Sequence, residues 1–204
     1  MEPFTFTDQW DKTFPQSDRV AHQKVTFHNR YGITLVGDLY TPKQTSAPFA
    51  AIAVCGPFGA VKEQASGLYA QTMAEKGFVT LAFDPSFTGE SGGSPRYVAS
   101  PDINTEDFCA AVDFLSVQPF VDPEKIGIIG ICGWGGMALN AAAMDTRIKA
   151  TVASTMYDMC RVNANGYFDA EDSPQDRLNK KKALNAQRTQ DYKNGSYALA
   201  GGVV

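Results

Sequence analysis

The residues best suited to chemistry lie in a glycine-rich segment around Cys132, which reads KIGIIGICGWGG over residues 125–136. Four isoleucines precede the cysteine, and such a β-branched apolar run predicts a strand buried in a parallel sheet. Small residues around it give the backbone room to turn sharply into a helix: Gly130, Gly133, Gly135 and Gly136. A thiol at the start of a helix lies near the positive end of the helix dipole, which favours the nucleophilic thiolate. The segment therefore predicts a strand-to-helix elbow with Cys132 at its apex.

Two carboxylates follow other predicted strands. Asp84 comes directly after the apolar run Phe78–Phe83, and Glu63 lies in the loop after Phe49–Val54. Ligands of open parallel sheets bind at the carboxyl ends of the strands, so these side chains are expected near Cys132. Glu63 could contact the thiol or be an ordinary surface carboxylate, and Asp84 is expected to tie the following turn together.

Metal and cofactor sites find little support in the composition. The chain has only two histidines, His22 and His28, and its four cysteines form no CxxC pair. The segment GWGGMA at 133–138 fits a dinucleotide-binding G-x-G-x-x-A pattern. However, it follows the third inner strand, and no acid lies about 20 residues further on to bind a ribose. We expect neither a metal nor a cofactor.

Charge and hydropathy exclude other classes of partner. The formal net charge is −4 and the pI about 5.2, so no basic face for nucleic acid is expected. No apolar run reaches the length of about 18 residues that a membrane span needs. The first residues, MEPFTFTDQWDK, lack a basic segment followed by an apolar one, so they do not resemble a signal peptide. The cytoplasm is the expected compartment.

The order of predicted elements indicates the fold class. Gln23–Phe27 and Ile33–Tyr40 predict an antiparallel hairpin, and strands then alternate with helices from residue 49 to residue 154. This alternation predicts an α/β protein with a mostly parallel sheet and helices on both faces. The polar segment 158–204 predicts a partly helical cap or insertion after a core of residues 1–157. Its helix should begin after Ser173, and an apolar tail follows at 198–204.

Two helices of the core can be predicted in more detail. The first should span about 64–76 and bury an apolar stripe, namely Ala65, Leu68, Tyr69, Thr72 and Met73. The second should begin with Asn104 as its N-cap and bury a second stripe, namely Phe108, Ala111, Val112 and Leu115.

A family resemblance rests on five features within residues 20–168: the hairpin, the loop after the third strand, Lys62-Glu63-Gln64, the stretch from Phe83-Asp84 to GESGG at Gly89–Gly93, and Gly130-Ile131-Cys132. Together they resemble α/β-hydrolases, most closely the bacterial dienelactone-hydrolase-like and Xaa-Pro-peptidase-like branch. The resemblance implies a hydrolase of esters, lactones or related small acyl substrates.

The resemblance also implies roles for individual residues. Cys132 would be the nucleophile, and the backbone N–H of Gly133 would supply half of an oxyanion hole. The other donor would come from the loop after the third strand, where Phe58 is the better candidate because Pro57 has no N–H. Glu63 could contact the thiol.

The chain departs from the family pattern in two respects. Trp134 stands where a small residue normally packs against the neighbouring strand, and a register slip of two would put it at the apex. The family's catalytic acid and histidine follow later strands, which we do not expect within this chain. We therefore expect either an incomplete hydrolase or a non-catalytic assembly module. The alternative partners are a second copy of the chain and a complementary C-terminal fragment.

Overall fold

The computed structural model of the chain describes residues 9–43 and 48–200. The chain forms two compact units, Met1–Met156 and Tyr157–Val204. The last four residues of the predicted apolar tail, 201–204, lie outside the described residues.

The first unit is built on one six-stranded sheet. In the order β1-β2-β4-β3-β5-β6, the first two pairs of neighbours are antiparallel and the remaining three are parallel. The strands are β1 Val20–His28, β2 Thr34–Pro42, β3 Phe49–Cys55, β4 Val79–Phe83, β5 Val121–Ile131 and β6 Ile148–Ser154. The helices of this unit are α1 Ala65–Ala74, α2 Pro101–Ser116 and α3 Gly133–Met144.

Helices cover both faces of the sheet. Side chains of α1 pack into one apolar cluster, and side chains of α2 and α3 pack into a second cluster with alternate residues of the same strands. Alternation arises because successive side chains of a strand point to opposite faces. The predicted fold, with its mostly parallel sheet and N-terminal hairpin, is confirmed.

The predicted apolar stripe of α1 is wrong. Leu68 and Tyr69 are 46% and 41% exposed, whereas the buried positions of this helix are Ser66, Gly67, Ala70, Gln71 and Ala74. The helix lies so close to its neighbours that a Cβ at Gly67 would be 2.3 Å from the carbonyl oxygen of Lys62. Only small side chains fit that distance, so close packing overrides hydrophobic patterning here.

The predicted start of α2 is also wrong. Ser100 is the N-cap, and its hydroxyl accepts a hydrogen bond from the N–H of Ile103 at 3.4 Å. Pro101 occupies the first helical position, which suits its fixed φ and missing N–H. Asn104 instead lies buried within the helix, where its amide donates to Asp107 at 3.1 Å. The predicted apolar stripe of this helix is fully buried.

The second unit is helical and polar. It contains α4 Met159–Asn165, a 3-10 turn at Tyr167–Asp169, and α5 Pro174–Asn194. The predicted N-cap of α5 is confirmed, since the Ser173 hydroxyl accepts from the N–H of Asp176 at 3.0 Å. Of the helices in the described ranges, none combines the length and apolar character of a membrane span.

Candidate active site

Cys132 forms the turn between β5 and α3. Its backbone has φ +58° and ψ −126°, a conformation that non-glycine residues rarely adopt. Two hydrogen bonds hold the turn: the Cys132 N–H donates to the Ser154 carbonyl at 2.9 Å, and the Cys132 carbonyl accepts from the Gly135 N–H at 2.9 Å. The elbow predicted from the glycine spacing is therefore present, with Cys132 rather than Trp134 at its apex.

Two glycines allow the elbow to pack closely. A Cβ at Gly130 would lie 2.4 Å from the carbonyl oxygen of Trp134 and 2.6 Å from the Cβ of Ala138. A Cβ at Gly135 would lie 2.9 Å from the Cβ of Met156, beyond the end of β6. The small residue that the elbow requires beside the neighbouring strand is thus Gly135.

The loop after β3 lies against the elbow. A Cβ at Gly56 would be 2.3 Å from the carbonyl oxygen of Ile131 and 3.0 Å from the Cβ of Trp134. The half-buried ring of Phe58 meets the indole of Trp134 edge-on, with ring centroids 5.3 Å apart. Trp134 is therefore accommodated between the elbow and this loop, where its ring is buried.

Two backbone N–H groups near Cys132, those of Gly133 and Phe58, have no backbone acceptor among the residues that the structure describes. Gly133 is the first residue of α3, and the first N–H groups of a helix have no acceptor within the helix. No backbone acceptor for the Phe58 N–H is found in the described ranges. Both residues belong to segments that follow adjacent parallel strands, since Cys55 of β3 pairs with Gly130 of β5.

Burial distinguishes the four thiols. Burial raises the pKa of Cys55 well above its ordinary value, and the charges of Asp107 and Asp84 add to this effect. Burial likewise raises the pKa of Cys109 to about 11. Cys132 is half-buried and Cys160, in the second unit, is exposed. Thiolate chemistry at neutral pH is therefore disfavoured at Cys55 and Cys109.

Glu63 lies in an ionic cluster. Its Oε1 accepts a hydrogen bond from Lys62 Nζ at 2.5 Å and lies 3.8 Å from Lys24 Nζ. Burial raises the pKa of Glu63 although the charge of Lys62 acts to lower it. The contacts found for this carboxylate are thus with ammonium groups, and its contact with the Cys132 thiol stays a prediction.

Three carboxylates of this cluster could in principle hold a cation. Oxygens of Glu63, Asp84 and Glu90 all lie within 4.8 Å of one another. The ammonium of Lys62 lies 2.5, 2.9 and 2.5 Å from these three groups respectively, so a lysine already balances their charge. Burial opposes the charge of Lys62, but the carboxylates outweigh it and raise the pKa of Lys62. The donor set therefore fits an internal ion cluster rather than a metal site.

Both histidines lie on β1, far from the elbow in the sheet order. His22 Nε2 is 2.8 Å from Asp38 Oδ1, and its ring packs against Trp10 and Tyr40. His28 is exposed at the end of the strand. The strands β2, β4 and β3 separate β1 from β5, which corresponds to about 19 Å between the strand axes. Neither histidine is positioned to act on Cys132.

The ionic cluster extends to Asp11, and this predicts a pH-dependent stability. Burial acts to raise the pKa of Asp11, but hydrogen bonds from Lys12 and Lys24 outweigh it and lower the pKa to about 2. A carboxylate with a lowered folded-state pKa stabilises the fold above its unfolded pKa, and this contribution is lost as pH falls from about 4 to about 2. Because Asp11 is exposed to solvent, Asp11→Asn should lower the free energy of unfolding by only about 1 kcal/mol at pH 6.

Urea unfolding of wild type and Asp11→Asn at a series of pH values tests this prediction. The difference between the two proteins should vanish as pH approaches 2. A difference that stays constant from pH 6 to pH 2 would contradict it.

Most of the chain is similar to proteins of one known family. The family of X-Pro dipeptidyl-peptidases (S15 family) matches residues 31–199. The chain is 65% identical over 193 residues to the uncharacterized protein PA2218 of Pseudomonas aeruginosa, covering 94% of this chain and 52% of PA2218. It is 40% identical over 184 residues to the uncharacterized protein YcjY of Escherichia coli, covering 88% of this chain and 60% of YcjY. The chain thus spans between about half and two thirds of the length of these relatives.

Solved structures agree on the fold. The crystal structure of PA2218 matches with a TM-score of 0.93 and 60% identity, covering 99% of this chain and 65% of that one. The α/β hydrolase GrgF from a Penicillium species matches with a TM-score of 0.73 and 24% identity, covering 88% of this chain and 57% of GrgF. Among relatives compared by sequence, the thiohydrolase aneE of Aspergillus aculeatus is 34% identical over 137 residues, covering 67% of this chain and 42% of aneE. The matches to PA2218 and GrgF show that the chain has an α/β-hydrolase fold.

Proposed function

Because this chain belongs to the X-Pro dipeptidyl-peptidase (S15) family and has an α/β-hydrolase fold, we propose that it carries an acyl-transfer site with Cys132 as the nucleophile. The observation that carries the proposal is the backbone of Cys132, strained at φ +58° between a buried strand and the start of α3. Strained residues persist where the surrounding structure holds them, and they cluster at active sites. The same turn presents the thiol to the positive end of the helix.

The proposed reaction begins when the Cys132 thiolate attacks the carbonyl carbon of an ester or thioester. A carbon–sulfur bond forms, and the π electrons of the carbonyl move to its oxygen. The N–H groups of Gly133 and Phe58 stabilise this oxyanion, and each such donor is typically worth about 10²–10³ in rate. Collapse of the intermediate breaks the bond to the leaving alkoxide or thiolate and leaves an acyl thioester on Cys132. Water then attacks this thioester and releases the acid.

A small acyl compound is the proposed substrate. The name thiohydrolase of a relative at 34% identity supports a thioester or ester carbonyl as the reacting group. The half-buried Cys132 thiol can react with an uncharged carbonyl group. Such a substrate needs no basic surface on the protein, whereas a nucleic acid would need one. We also propose a cytoplasmic location, because its reducing conditions keep the Cys132 thiol free to attack.

Hydrolysis of the acyl thioester requires a base that activates water. His22 and His28 both lie on β1, and the ring of His22 is held by Asp38 of β2, so we propose that neither histidine fills this role. Complete turnover then depends on a base from a complementary segment or a second polypeptide. Residues 1–204 by themselves are expected to acylate once and to release the acyl group slowly.

Labelling with p-nitrophenyl acetate tests the proposal. The protein is mixed with the ester, p-nitrophenolate release is followed, and the adduct is located by peptide mass spectrometry. We expect one acetyl group per chain on Cys132, released much more slowly than it forms. Exposed Cys160 is an internal control for nonspecific acetylation, and buried Cys55 and Cys109 are controls for unfolding. Equal labelling of Cys132 and Cys160 would overturn the proposal.

A further inference from the structure

The buried lysine of the ionic cluster lies in the loop that supplies one proposed oxyanion donor. Lys62 follows β3 by seven residues and is fully buried, although lysine is seldom found without solvent contact. The proposed reaction uses neither its ammonium nor its partners. Burying a charge costs desolvation free energy, so the burial of Lys62 requires a specific explanation.

Lys62 joins two loops that follow adjacent parallel strands. Its backbone N–H donates to Asp84 Oδ1 at 2.8 Å and its Nζ donates to Asp84 Oδ2 at 2.9 Å. Asp84 Oδ2 also accepts from the N–H of Glu90 at 2.9 Å, and Glu90 Oε2 accepts from Lys62 Nζ at 2.5 Å. Gly89 makes this closure possible, since a Cβ there would lie 2.2 Å from Asp84 Oδ2. The loop after β3 is therefore fixed to the loop after β4 through both backbone and side chain.

The other end of the same loop meets the elbow. Gly56 lies directly against the carbonyl of Ile131, and the ring of Phe58 packs on Trp134. The stretch 56–62 is thus held at two points, by the elbow at its start and by the ion cluster at its end. Two fixed ends restrict the orientation of the Phe58 N–H, which lies between them and has no backbone acceptor in the described part of the chain.

We propose that Lys62 is a positioning residue for the oxyanion hole: its contacts with Asp84 and Glu90 hold the loop so that the Phe58 N–H faces the reacting carbonyl. The inference rests on the proposed function, because it concerns the oxyanion of the acylation step. The polar contacts found for Lys62 in the described ranges are with Glu63, Asp84 and Glu90, so the proposed role is exercised through the loop. Its loss should slow only reactions in which negative charge develops on a carbonyl oxygen.

Two reactions of the same thiol separate this role from general effects. Acetylation by p-nitrophenyl acetate passes through a tetrahedral oxyanion, whereas alkylation by iodoacetamide forms a carbon–sulfur bond and expels iodide without an oxyanion. In Lys62→Met, we expect the acetylation rate of Cys132 to fall about tenfold or more, in line with a misplaced donor. The alkylation rate should change less than about twofold, because thiol access and thiolate content are not altered.

The same two rates are measured in two further variants. Glu90→Gln keeps the size of a partly exposed partner and should lower the ratio of acetylation to alkylation in the same direction, which covers the case that Lys62→Met does not fold. Asp107→Asn disturbs another fully buried polar group, hydrogen-bonded to Asn29, Ser86 and Asn104, and should leave the ratio unchanged. All variants are assayed at temperatures at which circular dichroism shows them folded.

The possible results distinguish the positioning role of Lys62 from the nucleophilic role of Cys132. A selective fall in acetylation for Lys62→Met or Glu90→Gln, absent from Asp107→Asn, supports the positioning role. An unchanged ratio in both cluster variants, or an equal fall in Asp107→Asn, overturns it. If wild type shows no acetylation of Cys132 although iodoacetamide alkylates it, the proposed function fails, and this inference fails with it.

Discussion

Replacing Gly130 by alanine is expected to lower the free energy of unfolding by about 3 kcal/mol, the upper range for overpacking a buried position. The added Cβ would meet the carbonyl oxygen of Trp134 at 2.4 Å, the Cβ of Ala138 at 2.6 Å and the Cα of Gly135 at 2.8 Å. None of these atoms is the end of a flexible side chain, so relief requires α3 to move away from β5. Urea denaturation followed by circular dichroism measures the change.

Gly127→Ala on the same strand provides the matched control. Its Cβ would lie 3.1 Å from the carbonyl oxygen of Ala150 and 3.6 Å from the Cβ of that residue, a tight contact that small shifts can relieve. We expect a loss of about 1 kcal/mol or less for this variant. Equal stabilities of the two variants would show that the approach of α3 to β5 at the elbow is looser than the structure indicates.

Elements whose signal is local could be predicted from the sequence. The start of β3 at Phe49 and the end of β6 at Ser154 agree with the predicted alternation of strands and helices from residue 49 to residue 154, because apolar runs and their polar borders alone define these limits. The parallel order of the inner strands also follows from sequence, since strands separated by a helix must be joined by a crossover. Cys132 could be identified for a similar reason, as the glycines that allow its turn are adjacent in the chain.

Prediction failed where packing between distant segments decides the outcome. The stripe through Leu68 and Tyr69 has helical spacing, yet α1 turns its small residues to the sheet. Spacing reports which side chains share a face, but not how closely that face can approach its neighbours. Asn104 has good capping chemistry, but Ser100 and Pro101 begin the helix earlier and leave Asn104 to satisfy the buried Asp107.

The ion cluster shows the same limit within the candidate site. Lys62, Lys24 and the pair Asp84 and Glu90 come from three separate segments of the chain, and no one of these segments indicates the other two. Only the pairing of β3 with β4, and of β2 with both β1 and β4, brings these segments together. The sequence shows that the loops after β3 and β4 both carry charged residues. It does not show that these residues contact one another, because the contact depends on how the strands pair.

Changing Cys132 to serine is expected to reduce acetylation by p-nitrophenyl acetate at least about 100-fold, because a hydroxyl without an adjacent base is a far weaker nucleophile than a thiol. Serine preserves the size of the side chain, so the elbow and both N–H donors should remain in place. Thermal unfolding of the variant should therefore match that of wild type closely. Stopped-flow detection of p-nitrophenolate, combined with mass spectrometry of the adduct, measures the loss.

Two further variants sharpen the interpretation of this loss. Cys132→Ala should show no labelling at position 132. In Cys160→Ser, which removes the exposed thiol, Cys132 should be acetylated at the wild-type rate.

If Cys132→Ser instead retains rapid acetylation, a base must lie within hydrogen-bond reach of position 132. Since His22 and His28 both lie on β1, that base would be a carboxylate, and Glu63 would be the first residue to replace. Loss of the remaining activity in Glu63→Gln would then identify Glu63 as the partner of the nucleophile.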